Sequence, residues 1–342
     1  LTRGLQIRID VDKDIDFIVI GKIDAPMGLS SFQVNNKETK VDLNGAFRAS
    51  IKVSEPTTTK VSLVVIDKKG GKDVVDFFLD TRSGSKKIEK SDLPLKGFGN
   101  YYALIIGNND YMYWPPLKTP KNDSLAIAQL LETKYNFKTQ VILDAKRADI
   151  LYKLNDYRKN LTASDNLLIY YAGHGYLETK IDRGYWIPVD AEVDNNVNWI
   201  PTPAISDMLG TMSAKHILIV SDSCYSGALT KSSIINLKAG KTDQSWEQLL
   251  RAIVEKQSRT ALTSGDLQPV LDSGAGNHSV FANIFLTALS NNDDIIVCQT
   301  LYENIADKVT LAAANYHVEQ TPQYAPIKFA GHEAGDFVFI PK

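Results

Sequence analysis

Two short runs of this 342-residue chain carry residue types that do covalent chemistry. One is Ala172-Gly173-His174-Gly175, and the other is Ser221-Asp222-Ser223-Cys224-Tyr225-Ser226-Gly227. Each follows a strongly apolar segment, at 167–171 and 217–220 respectively. One of the five histidines and one of the two cysteines thus lie just past the ends of two predicted buried strands. A thiol is a nucleophile as its thiolate, and a neighbouring imidazole can take its proton. His174 is therefore the candidate general acid/base and Cys224 the candidate nucleophile. Gly173 and Gly175 allow the backbone to turn sharply and to approach a substrate. The N–H groups of Gly175 and Cys224 are candidates for an oxyanion hole, where one donor contributes about 3–4 kcal/mol to transition-state stabilisation. Cys298 lies in the apolar run Ile295-Ile296-Val297-Cys298 and reads as a small core residue.

Such a pair needs a scaffold that brings strand ends together. From residue 101 onward, strands alternate with helices. Strands are predicted at 102–106, 139–143, 167–171, 185–189, 217–220 and 260–263. Helices are predicted at 123–131 (with Asn122 as N-cap), 150–157, 204–212, 246–255, 280–289 and about 301–313. Segments near 327–329 and 337–340 close the chain. Apolar strands joined by helices imply a mainly parallel sheet covered on both faces, an α/β sandwich. Sites in such sheets lie beyond the carboxyl ends of the strands, where the two motifs fall. Residues 1–80 differ. Seven short runs rich in Val, Ile, Thr and Phe are separated by turn formers, with Asn35-Asn36 and Asn44-Gly45 suited to tight hairpins. They read as an immunoglobulin-like β-sandwich without chemistry of its own. Residues 81–100 form a Ser-, Gly-, Lys- and Pro-containing linker, so the expected organisation is 1–80, 81–100 and 101–342.

Composition removes other classes. Lys plus Arg (38) against Asp plus Glu (40) gives a net charge of −2, which disfavours nucleic acid as the partner. No apolar run approaches the roughly 18 residues of a membrane span. Two cysteines exclude a disulfide scaffold, and no C-x-x-C starts a zinc ribbon, so no metal ligand set is expected. No phosphate-binding glycine motif follows the first α/β strand, and no G-x-S-x-G elbow exists. A chain beginning at Leu1 is expected to be a trimmed product, which leaves the compartment open between cytoplasmic and exported.

Tyr170-Tyr171-Ala172-Gly173-His174-Gly175 and Asp222-Ser223-Cys224-Tyr225-Ser226-Gly227, about 50 residues apart, resemble the caspase-fold cysteine peptidases of class C14. Within that class they look most like the metacaspase and bacterial orthocaspase branch, some of whose members carry a preceding Ig-like module. The resemblance runs from about Tyr101 to the C-terminus. It includes the 102–107 strand, the helix start at Asp123, Gln320-Thr321-Pro322-Gln323-Tyr324 and the segment from Gly331 to Phe337. It implies a caspase–haemoglobinase α/β sandwich and a His174/Cys224 dyad that cleaves protein or peptide substrates. The acids matching that branch's specificity pocket are Asp123 and Asp222, which implies cleavage after Arg, with Lys second. No basic residue follows Cys224 closely, unlike in the Asp-cutting caspases. The family often has Ser two residues before the His; here it is Ala172, which removes one polar contact. The polar loop 228–245 is a candidate for self-processing at Lys231, Lys238 or Lys241, with Arg82, Lys86 and Lys87 in the linker as second candidates. The dyad requires no cofactor. Many metacaspases use Ca²⁺, for which Asp190, Glu192 and Asp194 are the candidate acids. The alternative function is a catalytically silent or scaffold-type caspase-fold interaction protein. Oligomeric state is left open.

Overall fold

A computed structural model describes residues 8–10, 16–23, 25, 28–41, 45–52, 58–80, 98–223, 250, 253, 255–265, 277–316, 318, 320–333 and 335–342. The chain divides into two compact units, one led by Leu1–Leu95 and the other made of Lys96–Lys231 and Ile253–Lys342.

The first unit holds strands β1 (Arg8–Asp10), β2 (Asp16–Lys22), β3 (Leu29–Val34), β4 (Lys37–Glu38), β5 (Ala46–Lys52), β6 (Thr58–Asp67) and β7 (Lys72–Asp80). They form a sheet of order β1-β7-β6-β3-β4 and a β2-β5 pair, antiparallel except for β1 beside β7. Phe32, Val34, Val61 and Leu63 from the larger sheet share one core with Val19, Phe47, Ala49 and Ile51 from the pair. Alternating side chains thus bury one face of each sheet against the other, as a sandwich requires. Asn35 and Asn36 both take positive φ (50° and 62°), so the β3–β4 hairpin turns at the expected place. Asn44 lies outside the described residues.

The second unit is built on one six-stranded sheet. Its strands are β8 (Asn100–Gly107), β9 (Lys138–Leu143), β10 (Asp165–Ala172), β14 (His216–Asp222), β15 (Ser258–Thr263) and β17 (Gln323–Pro326), in the order β17-β15-β14-β10-β8-β9. All pair in parallel except the edge strand β17. Every residue of β10, β14 and β15 is buried, which explains their unbroken apolar centres. Five helices accompany the sheet: α1 (Pro120–Tyr135), α2 (Arg147–Asn160), α3 (Thr202–Gly210), α4 (Val280–Ser290) and α5 (Cys298–Ala314). Ile150 and Leu154 of α2 and Ile205 and Leu209 of α3 pack on the sheet face formed by Ile106, Ile169, Tyr171 and Ile219. Helices α1, α4 and α5 pack together. A small sheet of β11 (Gly175–Glu178), β12 (Arg183–Trp186) and β13 (Ile200–Pro201) follows the end of β10. A last pair joins β16 (Ile296–Val297) to β18 (Val338–Phe339).

Several expectations shift. Helix α1 begins at Pro120 rather than after Asn122, because proline is preset for the first helical position. Asp123 therefore lies in its first turn. The predicted 185–189 strand is β12, which ends at Trp186. The closing strand near 327–329 is β17, whose Pro326 is tolerated on a sheet edge. Cys298 is buried as expected, yet it opens α5 and has polar neighbours. Tyr324 and Asp336 lie beside its thiol, which burial holds well above its ordinary range. Most of the predicted 246–255 helix lies outside the described residues, as do residues 81–97.

Candidate active site

Strand register decides what meets what. Ala172 of β10 is paired with Asp222 of β14 on one side and Gly107 of β8 on the other. The three carboxyl ends are thereby level, and the order of strands reverses between β8 and β10, the place where such sheets open a crevice. His174 is two residues beyond Ala172. Cys224 is two residues beyond Asp222 in the chain and lies outside the described residues, as do Lys231, Lys238 and Lys241.

His174 is held from several directions. Its backbone N–H donates to Tyr111 Oη (2.7 Å), and its carbonyl accepts from Tyr171 Oη (2.7 Å) and the Ile187 N–H (3.1 Å). Its ring lies against Tyr111 and Trp114, with centroids 4.6 and 5.5 Å away. Its Nε2 is 2.8 Å from the carbonyl oxygen of Pro115. A carbonyl only accepts, so Nε2 carries the proton and Nδ1 is the basic nitrogen of the neutral ring. Gly173 is required by space, because a Cβ there would lie 2.6 Å from Tyr111 Oη. Burial holds the Tyr111 phenol well above its usual range, so it stays a neutral hydrogen-bonding group. Gly175 faces Trp186 across β11 and β12, and the Ile187 N–H goes to the His174 carbonyl. That makes Gly175 and Trp186 a non-hydrogen-bonded pair, so the Gly175 N–H points away from β12.

The loop 108–119 that supplies Tyr111 and Pro115 is braced. Asp144 Oδ1 accepts the N–H groups of Asn109 (2.8 Å) and Asp110 (2.9 Å). Lys121 Nζ bridges Asp110 and Asp144 at 2.6 Å each. Burial tends to raise the Asp144 carboxyl, but these donors outweigh it and hold the group below its usual range.

Asp123 and Asp222 meet at the opposite side of β10. A close crossing of α1 over the end of β8 sets Asp123, and it needs Gly107. A Cβ there would lie 2.4 Å from Ser124 Oγ and 2.6 Å from the Pro120 carbonyl oxygen. Both acids are buried, at 0% and 7% relative exposure. Ser279, the N-cap of α4, ties them together. Its Oγ–H donates to Asp222 Oδ2 (2.5 Å) and its N–H to Asp123 Oδ2 (3.3 Å). Asp123 Oδ1 accepts from His278 Nδ1 at 2.6 Å. Burial raises the Asp123 carboxyl above its usual range, partly offset by His278 and the Ser279 N–H. Tyr170 is fully buried nearby, and its hydroxyl has no hydrogen-bond partner among the described residues. Burial, then the Asp222 and Asp123 charges, push that phenol well up. The sequence offered the two acids and His174 as candidates; Tyr111, Pro115, His278 and Ser279 come only from the structure. The available signal was Ser279 as an N-cap before an apolar helix.

Among the described residues no group of three His, Cys, Asp or Glu side chains is placed to hold a metal ion. Asp190 instead accepts the Arg147 N–H at the start of α2 (2.9 Å), while Glu192 and Asp194 are exposed. No helix among the described residues is long and apolar enough to cross a membrane. Cys298 is a free cysteine.

The sequence model of the caspase domain, of the C14 peptidases, matches residues 100–329. The human mucosa-associated lymphoid tissue lymphoma translocation protein 1 is 32% identical over 105 residues, 31% of this chain and 12% of that protein. Its mouse homolog is 34% identical over 89 residues, 26% of this chain and 10% of that protein. The chain thus spans only about a tenth of the length of these curated relatives. Among solved structures, caspase-1 from Spodoptera frugiperda aligns over 72% of this chain and 94% of its own, at 15% identity and a TM-score of 0.47. A protein from Geobacter sulfurreducens aligns over 68% and 97%, at 17% identity and a TM-score of 0.45.

Proposed function

Because the chain belongs to the caspase-domain family of C14 peptidases, we propose that it is a cysteine endopeptidase with His174 and Cys224 as its dyad, cutting protein substrates after Arg and less readily after Lys. The observation that carries this reading is the register of Ala172 with Asp222, since His174 follows the first by two positions in the chain and Cys224 follows the second by two. The tautomer supports the division of labour. With Nε2–H given to Pro115, Nδ1 is the nitrogen that would take the thiol proton.

The Cys224 thiolate attacks the scissile carbonyl carbon, and the carbonyl electron pair moves to oxygen, which the Gly175 and Cys224 N–H groups stabilise. As the tetrahedral intermediate collapses, the C–N bond breaks and imidazolium Nδ1–H protonates the departing amine. Water then gives a proton to Nδ1 and attacks the thioester, releasing the new carboxyl end and restoring the thiol. Asp123 and Asp222 receive the basic side chain, since two buried carboxylates reward the forked guanidinium over the point charge of lysine. The loop 228–245 is the proposed self-processing segment, at Lys231, Lys238 or Lys241. For the first unit we retain the immunoglobulin-like reading, supported by its β1-β7-β6-β3-β4 and β2-β5 order.

The test is labelling and turnover together. A peptidyl-Arg chloromethylketone is expected to modify Cys224 and not Cys298. His174→Ala is expected to lower kcat by about 10²–10⁴-fold, the usual range for a lost general acid/base. Processing fragments are expected from the wild type and absent from Cys224→Ala. Labelling of Cys298 alone, or faster turnover of a P1-Asp peptide than its P1-Arg twin, would sink the reading.

A further inference from the structure

The donors around Asp123 differ in exposure. Ser279 is 3% exposed and Thr119, at the N-cap of α1, is 4% exposed. The side chain of Asp123 itself is 1% exposed, whereas that of His278 is 28% exposed. Among the described residues, His278 is the partner of Asp123 that reaches the surface. Its Nδ1 donates to Oδ1 at 2.6 Å, a contact that either a neutral or a charged imidazole can make. Ser279, the next residue, is fixed by the Asp222 carboxylate and by capping the Ala282 N–H at 2.9 Å. His278 is therefore anchored through its backbone at the start of α4, while its half-buried ring occupies Asp123 Oδ1, the oxygen a basic side chain would have to take.

We infer that His278 is a specificity-determining residue that competes with the substrate's basic side chain for Asp123. This rests on the reading that Asp123 and Asp222 hold that side chain. With no basic side chain bound, the imidazole satisfies Asp123 and avoids an unpaired buried carboxylate, which is costly. An arginine displaces it by offering two parallel N–H groups to a carboxylate. A neutral side chain cannot displace it, so His278 stays on Asp123 and the pocket gains nothing from the acid. The preference for basic over neutral residues is then the difference between two donors on one carboxylate, not the full strength of the acid pair.

The experiment compares wild type, His278→Ala and His278→Gln on matched peptides with Arg or Gln before the scissile bond. It also measures inhibition by benzamidine, an amidine that mimics arginine. For His278→Ala, KM for the Arg peptide and the benzamidine inhibition constant are expected to fall about tenfold, the worth of one hydrogen bond to a charged group. Turnover of the Gln peptide is expected to move much less. His278→Gln keeps a neutral donor, so the same constants are expected to fall by less. It also serves if the alanine variant does not fold. Unchanged or raised values in the folded variants overturn the inference, because a histidine that only positions Asp123 would weaken binding when lost. Asp123→Asn separates the two readings. If it leaves KM for the Arg peptide unchanged, the acid-pocket reading fails. If it raises that KM while the His278 variants change nothing, only the competition fails.

Discussion

The packing around His174 makes a coupled prediction. Two things exclude a side chain from Gly173: its φ of +159°, which L residues rarely adopt, and Tyr111 Oη, 2.6 Å from where a Cβ would lie. Gly173→Ala alone is expected to cost about 1–3 kcal/mol of stability by overpacking. Tyr111→Phe alone is expected to lower kcat about fivefold, since it removes the acceptor of the His174 N–H, a bond of about 1 kcal/mol. In the double variant the Phe has no hydroxyl to clash, so Gly173→Ala is expected to cost less there than in the wild type. Thermal melts of the four proteins check this; strict additivity would refute it. The same neighbourhood shows what can be read at residue level. His174 was offered because it follows a strongly apolar strand, and Asp123 and Asp222 because they match acids of the resembled family. Tyr111 and His278 were not visible, because nothing in local spacing links Tyr111 to His174, 63 positions away, or His278 to Asp123, 155 positions away.

Among the elements, β15 carries the least expected residue. The sequence places that strand at 260–263, since a charge at 259 reads as a boundary. In the structure β15 starts at Ser258, and Arg259 is 0% exposed. Its guanidinium donates to the carbonyls of Leu209, Met212, Ala214, Lys215 and Ser258 at 2.8–3.2 Å. Leu209 is in the last turn of α3, so the cation sits where a helix leaves unpaired carbonyls and a negative dipole end. Burial lowers its pKa to about 10, which still leaves it charged at neutral pH. Arg259→Met is expected to destabilise the protein by about 3 kcal/mol, because buried carbonyls lose their partners. Chemical denaturation measures this, and a loss under about 1 kcal/mol would contradict the role. Strand ends were underestimated for the same reason. Asn166 and His216 fall just before the predicted strands, yet they are register partners within β10 and β14, joined Oδ1 to Nδ1 at 2.8 Å. A polar residue in a buried strand is tolerated once a neighbouring strand satisfies it, and that neighbour is invisible along the chain.

For the molecule as a whole, the C-terminal segment supplies a pH signature. Asp336 accepts from the Gln299 N–H at the start of α5 (3.0 Å), from the Phe337 N–H (2.6 Å) and from the Tyr324 hydroxyl. Burial, opposed by these donors, raises its pKa from 3.8 to about 6. The folded state then holds a proton that the unfolded state releases, so this group's contribution is present below pH 4 and lost as pH rises through 6. Asp336→Asn removes that dependence. Relative to wild type, the variant is expected to gain on the order of 3 kcal/mol between pH 4 and 7, following about 1.4 kcal/mol per pKa unit. A wild-type-minus-variant difference that is flat across this range would refute it. The class of the second unit, a mainly parallel α/β sandwich, was legible from its apolar runs, but the order β17-β15-β14-β10-β8-β9 was not. That order also bears on how the protein comes into being. Asn100 at the start of β8 bonds to Asp165 at the start of β10, 65 positions later. The β10 strand in turn awaits β14, so no neighbouring pair in the centre of this sheet closes by a local turn. Non-local closure of this kind slows folding. A nascent chain that ends between β10 and β14 presents one bare edge of Leu167, Leu168 and Ile169, and such edges are where chains aggregate or recruit chaperones. The strand order that sets β10 between β8 and β14 is thus also what leaves one edge of a central strand unpaired during synthesis.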